Sequence, residues 1–581
     1  MKAICLLAVL LVAKILILAG RPLELSVWTP LAYVWQDMLV VLIFAGMDFA
    51  TRKRPEIGWA IYGLLVLYVA VNVPIACVLS TPMTWPLLRA TRGTLVDSIA
   101  YHVTWINVLR MSSVLAVGTA LPVMLRRRPT VIPTWAKLAA VGLAIILILA
   151  GPWASGRVET AGLDRNALVA LFSTAFPRVS ASGSTGHWRA SPIGGDKPRE
   201  DWSWLSRQAA GRNVIVIHLE STGAQYLRPY GAAEDPMPHL TALARQGILF
   251  ENAYTAYPET IRSFFAVQCS TFPALDTRPE DYEHVQTSSL AQVLADAGYR
   301  TGLFHSGRFM YLGMDSVIRN RGYQTLEDAG DIGGERESSF GIDEPSTVRR
   351  ILSWIDTAPR ERFFVSYLPV AGHHPYATMS PGPFPEKTEI DRYRNALHEA
   401  DAALGQLLDG LRERNLLDNT LLVLFGDHGE AFGQHSGNFG HTLFIYDENV
   451  RVPLIFAAPG LFHEPVRVNR VASLVDAAPT ILDLLGLSRP AEYQGRSLLK
   501  DHPQMALFAT EYSLGFLGLR DAQWKMIHEL ESGHSWLFDL STDPDERQNL
   551  ADRYPERVAE YRQHLLHWSA AQKYLIQRVD K

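Results

Sequence analysis

The sequence predicts a bundle of about five transmembrane helices followed by an α/β domain with a central, mostly parallel sheet. Three observations predict it. The 581 residues carry a formal net charge of only −5, but residues 1–151 hold 13 Lys/Arg against 5 Asp/Glu and residues 152–581 hold 41 against 54, so nets of +8 and −13 share one chain. Five apolar runs, each near the ~20 residues that cross a bilayer, lie in the first part. From Asn213 onward, short apolar runs alternate with helical patterns, as strands joined by crossover helices do. The charge split implies lipid as the solvent of the first part and water as that of the second. A single soluble globule is excluded, and so is a nucleic-acid binder built on a basic face. Three cysteines are too few for a disulfide framework; Cys5 and Cys77 lie in apolar runs, and Cys269 is alone in the acidic part.

The apolar runs cover roughly 3–20, 27–48, 57–79, 104–125 and 131–151. Lys2 before a Leu-rich stretch imitates a signal peptide, but the run is long and further spans follow it. Arg110 interrupts the fourth run. Arg52, Lys53 and Arg54 fill the loop after the second run, and Arg126, Arg127 and Arg128 the loop after the fourth; the alternate loops hold only Arg21, and Arg89 with Arg92. Basic loops stay in the cytoplasm. Five spans then place the N-terminus inside and everything after Gly151 outside. Asp37, near mid-span, reads as a polar partner within the bundle, and Lys137, near a helix end, as a snorkelling side chain. The expected division is a transmembrane domain at 1–151, a juxtamembrane linker at 152–212 and an extracytoplasmic catalytic domain at 213–581. Within the linker, DRNALVALFSTAF reads as an amphipathic helix on the membrane surface and 180–200 as a flexible tether.

The strand-like runs end informatively. NVIVIHL (213–219) is followed at once by Glu220, RTGLF (300–304) by His305, RFFVSYLPV (362–370) by a loop with His373 and His374, and TLLVLFG (420–426) by Asp427 and His428. Open α/β sheets bind ligands at the carboxyl ends of their strands. One histidine after a strand is usually a capped loop residue; four such coincidences at one edge are not. Asp427-His428-Gly429-Glu430 is the sharpest local signal, because carboxylate plus imidazole suits Zn2+ or Mn2+ and Gly429 permits a tight turn beside them. Glu220 offers a third ligand. Thr260 follows a Pro-Glu turn and opens a helix-like apolar pattern through Ile261, Phe264, Phe265 and Val267. A hydroxyl there meets the positive end of a helix. Taken locally, an N-cap is the plainer role.

The blocks NVIVIHLES, PHLTALARQGILFENAYT, SLAQVLADAGYRTGLFH, FGIDE, GHHPY, GDHGEAFGQHSGNFGHTLFIYDENVRVPLIFAAPG, SLVDAAPTILDLLG, GRSLL and LFDLSTDPDERQNLA occur in this order. With them the region of about 213–550 resembles the sulfatase-type branch of the alkaline phosphatase superfamily, which implies an alkaline phosphatase/sulfatase-like fold. Sulfatases convert a Cys or Ser to formylglycine at the nucleophile position, where this sequence has Thr260. Thr serves as nucleophile in the membrane-bound phosphotransferases of the superfamily, and Thr260-Ile261 with Gln268-Cys269 and Leu219-Glu220-Ser221 is similar to the lipoteichoic acid synthase and phosphoglycerol transferase version.

The resemblance implies that Glu220, Thr260, Asp427 and His428 hold one divalent metal, Mn2+ ahead of Mg2+ or Zn2+. It matches His305 and Arg308 to a substrate-side block, with His435 as a further substrate-side candidate. It matches His373 to a phosphate-binding or leaving-group histidine. His441 takes the position of a sulfatase lysine or of a second-site histidine. The expected activity is transfer of a phospholipid head group, phosphoglycerol foremost, through a phosphothreonine to an extracytoplasmic glycan or lipid acceptor, at a bacterial inner membrane. A phosphoethanolamine transferase and a membrane-tethered phosphodiesterase or sulfatase-like hydrolase stand as enzymatic alternatives. A non-catalytic lipid sensor is the alternative of another class; the intact metal-type side chains and Thr260 weigh against it.

Overall fold

The computed structural model describes the chain except for residues 22, 24, 91–95, 127–132, 184–185, 195–200, 336–339, 463, 501–504 and 579–581. Arg92, Arg127, Arg128, the start of the fifth apolar run and the side chain of Lys137 therefore lie outside the described residues, as do parts of the 180–200 segment.

The apolar runs are helical: α1 (Lys2–Leu18), α2 (Thr29–Ala50), α3 (Pro55–Leu79), α6 (Trp105–Arg126) and α7 (Thr134–Ser155), with the short α4 (Trp85–Ala90) and α5 (Val96–His102) between α3 and α6. Four of them, α2, α3, α6 and α7, are long and apolar enough to cross a bilayer; α1 is equally apolar over 17 residues, the short end of what spans hydrocarbon. Leu6, Val9 and Leu10 of α1 pack with Val66, Val69 and Val73 of α3 and Val114 of α6.

Asp37 has one partner within the bundle, Lys14 of α1, and one beyond it, Asn166. Its Oδ1 accepts a 2.6 Å hydrogen bond from Asn166 Nδ2, and the Asn166 backbone N–H donates to Gln36 Oε1 at 2.8 Å. Lys14 Nζ lies 3.8 Å from Asp37 Oδ2 and donates to the Asp164 carbonyl at 2.7 Å. Polar groups this deep are costly unless paired, so the juxtamembrane chain is drawn onto the bundle. Asn166 also caps α8 (Ala167–Ser173) through its side chain. That helix is shorter than the amphipathic segment expected, with Leu168 and Val169 on the bundle and Phe172 exposed.

The expected tether is instead pinned to the large domain at its described residues. The backbone N–H groups of Arg178 and Val179 donate to Asp276 Oδ2 at 2.8 and 2.9 Å, and Ser182 donates to the Ala570 carbonyl. Buried Arg189 donates to the Met505 carbonyl at 3.0 Å and pairs with Asp476. Buried guanidinium groups require such acceptors, and here the large domain supplies them.

The large domain is built on a nine-stranded sheet of order β11-β2-β10-β6-β1-β5-β3-β4, with β9 paired to β2. The strands are β1 (Asn213–Leu219), β2 (Gly247–Tyr254), β3 (Arg300–His305), β4 (Thr325–Glu327), β5 (Phe363–Leu368), β6 (Thr420–Gly426), β9 (Arg451–Val452), β10 (Leu454–Ala457) and β11 (Val466–Ser473). β7 (Ala431–Phe432) and β8 (Phe439–Gly440) form a hairpin, and β12 (Ala506–Thr510), β13 (Phe516–Asp521), β14 (Trp524–Glu529) and β15 (Ser535–Asp539) form a separate antiparallel sheet. β1 runs parallel to β5 and β6, and β3 parallel to β4 and β5; β10 is antiparallel to both its neighbours.

NVIVIHL is continuously apolar up to His218 because both faces of β1 are covered. Val214 and Val216 pack on one side with Phe250, Leu421, Val423 and Ile481. Ile215 and Ile217 pack on the other with Leu249, Leu422, Leu404 and Leu407. The four strands whose ends drew attention, β1, β3, β5 and β6, are contiguous or next to one another and parallel, so their carboxyl ends meet at one edge.

Candidate active site

At that edge Glu220 follows β1, and Asp427 and His428 follow β6. The neighbouring helix α10 (Thr260–Cys269), which comes after the short α9 (Pro238–Leu243), points its first residue at them. Thr260 Oγ1 donates to Glu220 Oε2 at 3.1 Å and lies 3.4 Å from His428 Nε2. The helix N-cap is Glu259, without a side-chain cap bond. Thr260 is therefore not an N-cap: its hydroxyl is turned away from the helix backbone to a carboxylate 40 residues earlier.

The ligand-type atoms of Glu220, Asp427 and His428 all lie within 4.8 Å of one another. His428 Nε2 is 3.6 Å from both Glu220 Oε1 and Asp427 Oδ2, while His428 Nδ1 is 3.0 Å from the Gly429 carbonyl. That bond assigns the proton to Nδ1 and leaves the Nε2 lone pair facing the carboxylates. Asp427 Oδ1 accepts from the backbone N–H groups of Ser221 and His428, at 2.9 and 2.8 Å. Its Oδ2 is buried with no hydrogen-bond partner.

Charge is unevenly resolved here. Burial, then the adjacent Glu220 charge, pushes the Asp427 carboxyl well above the usual range. Burial would also raise Glu220, but the surrounding histidines, His441 among them, hold it below its ordinary value. Burial, reinforced by His441, pulls His428 down to about 3, so the ring is neutral. Two buried carboxylates, an orphaned oxygen, a neutral imidazole and a hydroxyl form a donor set that fits a divalent cation. Gly429 serves this set by close approach, not by a left-handed turn: a Cβ would come within 2.1 Å of the Glu448 carbonyl.

His441 is brought to the same place. Its ring stacks on His428 with centroids 4.0 Å apart and planes 23° from parallel, and its Nδ1 is 2.8 Å from Glu430 Oε2. Burial would lower His441, but the Glu430 charge and hydrogen bond outweigh it and raise its pKa. Glu430 in turn accepts from the Tyr376 hydroxyl at 2.6 Å. His373 sits 6.2 Å from His441, ring to ring, with Nδ1 2.7 Å from the His374 carbonyl. Glu344 anchors the start of that loop, accepting from the backbone N–H groups of Val370 and Ala371 at 2.7 and 2.9 Å and from Ser306 Oγ at 2.6 Å.

The remaining expected residues divide. His305 is buried at the end of β3, its Nδ1 2.9 Å from the Leu368 carbonyl, with burial lowering its pKa. Arg308 follows in the next loop, half-buried. His435 is turned elsewhere: Nδ1 is 2.6 Å from Glu448 Oε1, Nε2 is 3.2 Å from the Glu546 carbonyl, and the ring lies flat on Tyr446 at 3.7 Å. Both of its nitrogens serve this structural cluster, which includes Lys525 bridging Asp447 and Glu546 at 2.7 Å each, and none of its contacts reaches Thr260. Glu430 and Tyr376, which orient His441, were not singled out by sequence. Glu430 stood within the Asp-His-Gly-Glu signal; Tyr376 carried none.

Comparison with known proteins finds sulfatases and a lipoteichoic acid synthase-like relative. The sulfatase family model matches residues 212–487, and the model for the C-terminal part of N-sulphoglucosamine sulphohydrolase matches 435–570. Arylsulfatase K of Canis lupus familiaris is 31% identical over 434 residues, 59% of this chain and 80% of that protein. The lipoteichoic acid synthase-like protein YvgJ of Bacillus subtilis is 24% identical over 314 residues, half of each chain. A solved structure of an alkaline phosphatase superfamily protein from Vibrio parahaemolyticus superposes with a TM-score of 0.55 at 17% identity, over 68% of this chain and 96% of that one. The chain belongs to the sulfatase family.

Proposed function

We propose that this protein is a membrane-anchored phosphotransferase that moves a phospholipid head group, phosphoglycerol foremost, to an extracytoplasmic glycan or lipid acceptor through a phosphothreonine at Thr260. The observation that carries the reading is the nucleophile itself: a threonine hydroxyl, not a cysteine or serine convertible to formylglycine, is hydrogen-bonded within the Glu220–Asp427–His428 cluster. The similarity to YvgJ over half of each chain supports it. In this reading the protein lies in a bacterial inner membrane with its N-terminus in the cytoplasm, and α1 joins the four longer helices as a span.

Thr260 Oγ attacks the phosphorus, its proton passing toward Glu220 Oε2, which already accepts it. The bond from phosphorus to the diacylglycerol oxygen breaks, and His373 or His441 protonates that oxygen. An acceptor hydroxyl then forms the new bond to phosphorus, its proton passing to the histidine, while the bond from phosphorus to Thr260 Oγ breaks and Glu220 returns its proton to that oxygen. A divalent cation held by Glu220, Asp427, His428 and Thr260, Mn2+ ahead of Mg2+ or Zn2+, would stabilise the alkoxide and the charge on the phosphoryl oxygens. Holding the site beside the bundle lets the donor remain in the bilayer.

A second reading, hydrolysis of sulfate or phosphate esters with water as acceptor, is favoured by the similarity to Arylsulfatase K. One experiment separates them. Full-length protein is incubated with mixed phospholipids and examined by intact-mass spectrometry, with Thr260→Ala alongside. An adduct on Thr260 names the transferred group, and head-group release is expected to vanish in the variant. Turnover retained by Thr260→Ala overturns the assignment.

A further inference from the structure

One element of the membrane part reaches the loop that carries His373. The last turn of α5 places His102 face to face with His374, centroids 5.2 Å apart and planes 7° from parallel. Tyr101 meets the same His374 ring edge-on at 5.1 Å, and its hydroxyl accepts a 2.7 Å hydrogen bond from Arg392 Nη2. Burial lowers the pKa of both His102 and His374, the latter to about 3, so two neutral rings stack without charge repulsion.

His374 lies at the centre of a short loop with a partner on each side. Toward the chain start, His373 Nδ1 is bonded to the His374 carbonyl, and the His373 ring faces His441. Toward the chain end, Tyr376 donates to Glu430, the residue that holds His441. Displacing His374 would therefore move both candidate proton donors relative to Thr260. The neighbours of this contact in α5 and the start of α6 are apolar and outward-facing: Ile99, Val103 and Trp105 are 58, 66 and 82% exposed. Such a surface suits the interfacial layer of a bilayer, where tryptophan concentrates. With that surface against lipid, the helix would stand between the bilayer and the catalytic loop.

We propose that α5 is a positioning element of the active site, with His102 and Tyr101 holding the 373–376 loop so that His373 is aimed at the departing diacylglycerol oxygen. The inference rests on the phosphotransferase reading, in which the Thr260 Oγ–P bond forms, the P–O bond to diacylglycerol breaks, the Thr260 proton passes to Glu220 and the His373 Nε2 proton passes to the leaving oxygen. A glycerol alkoxide needs that proton; a nitrophenolate does not. A defect in aiming His373 must consequently depend on the leaving group, whereas a general loss of structure would not.

The test compares two substrates on the full-length protein in phospholipid–detergent micelles: phosphatidylglycerol and the p-nitrophenyl ester of phosphoglycerol. His102→Ala is expected to lower kcat on phosphatidylglycerol about tenfold or more, with KM within about twofold, and to leave the nitrophenyl ester rate close to wild type. His102→Phe keeps a flat ring on His374 and is expected to restore most of the lipid rate. Tyr101→Phe, which removes only the hydrogen bond from Arg392, gives a smaller loss of the same selectivity and serves where His102→Ala fails to fold. Equal loss on both substrates, or no rescue by phenylalanine, overturns the inference while leaving the phosphotransferase reading intact. Turnover that persists in Thr260→Ala overturns that reading, and this inference with it.

Discussion

His441 lies flat against His428, ring centroids 4.0 Å apart, while Glu430 holds its other face of hydrogen bonding at Nδ1. The stack places a histidine inclined to be protonated directly on one that is neutral. Glu430→Gln keeps the shape but removes the charge that favours the imidazolium. It is expected to lower kcat about tenfold or more with little change in KM, as measured by steady-state head-group release.

Asp427 contributes an oxygen with no protein partner. Asp427→Asn is expected to abolish stoichiometric metal in elemental analysis of the purified protein and to reduce activity at least about a hundredfold. Chelation of the wild type followed by addition of Mn2+ is expected to remove and restore activity, and the same addition is expected to do nothing for the variant.

His435 should matter for stability, with a definite pH dependence. Burial lowers its pKa, but the hydrogen bond and charge of Glu448 outweigh this and raise it; Glu448 is held below its ordinary value, burial being outweighed by His435. The raised histidine stabilises fully below its unfolded value of about 6.5 and loses that contribution as pH rises through its folded value. The depressed glutamate stabilises above about 4.3 and loses its contribution as pH falls. The pair is thus most effective between these limits. His435→Gln is expected to lower the free energy of unfolding more at pH 6 than at pH 9, by about 1–2 kcal/mol at the lower pH; a calorimetric pH series reads the difference.

Gly372 opens the catalytic loop at a φ of +112°, and a Cβ there would stand 2.5 Å from the Glu220 carbonyl. Both the backbone conformation and the space forbid a side chain. Gly372→Ala is expected to cost about 2–4 kcal/mol of stability and to shift Glu220 and His373 together. A folded but poorly active protein, with lowered metal content, would show that shift.

The chemistry of the strand ends and the layout of the chain are legible in the order of the amino acids. Continuous apolar runs such as NVIVIHL become β1 because a strand covered on both faces needs no polar alternation, and the residues that follow such runs must then appear at the sheet edge. Thr260 at the head of α10 was legible for the same local reason, and long apolar runs read as helices because lipid leaves the backbone no other partner. Which of these candidates work together depends on contacts between segments far apart in the chain. The fold joins His441 to Glu430, which also accepts from Tyr376, and sends His435 to Glu448 and Glu546 instead. It pins Arg178 and Arg189 of the expected linker to the large domain and lays His102 on His374, 272 positions away in the chain. Periodicity records what a segment does with its own neighbours; a hydrogen bond or ring stack between distant segments depends on how the sheet orders its strands and which buried groups are left requiring a partner.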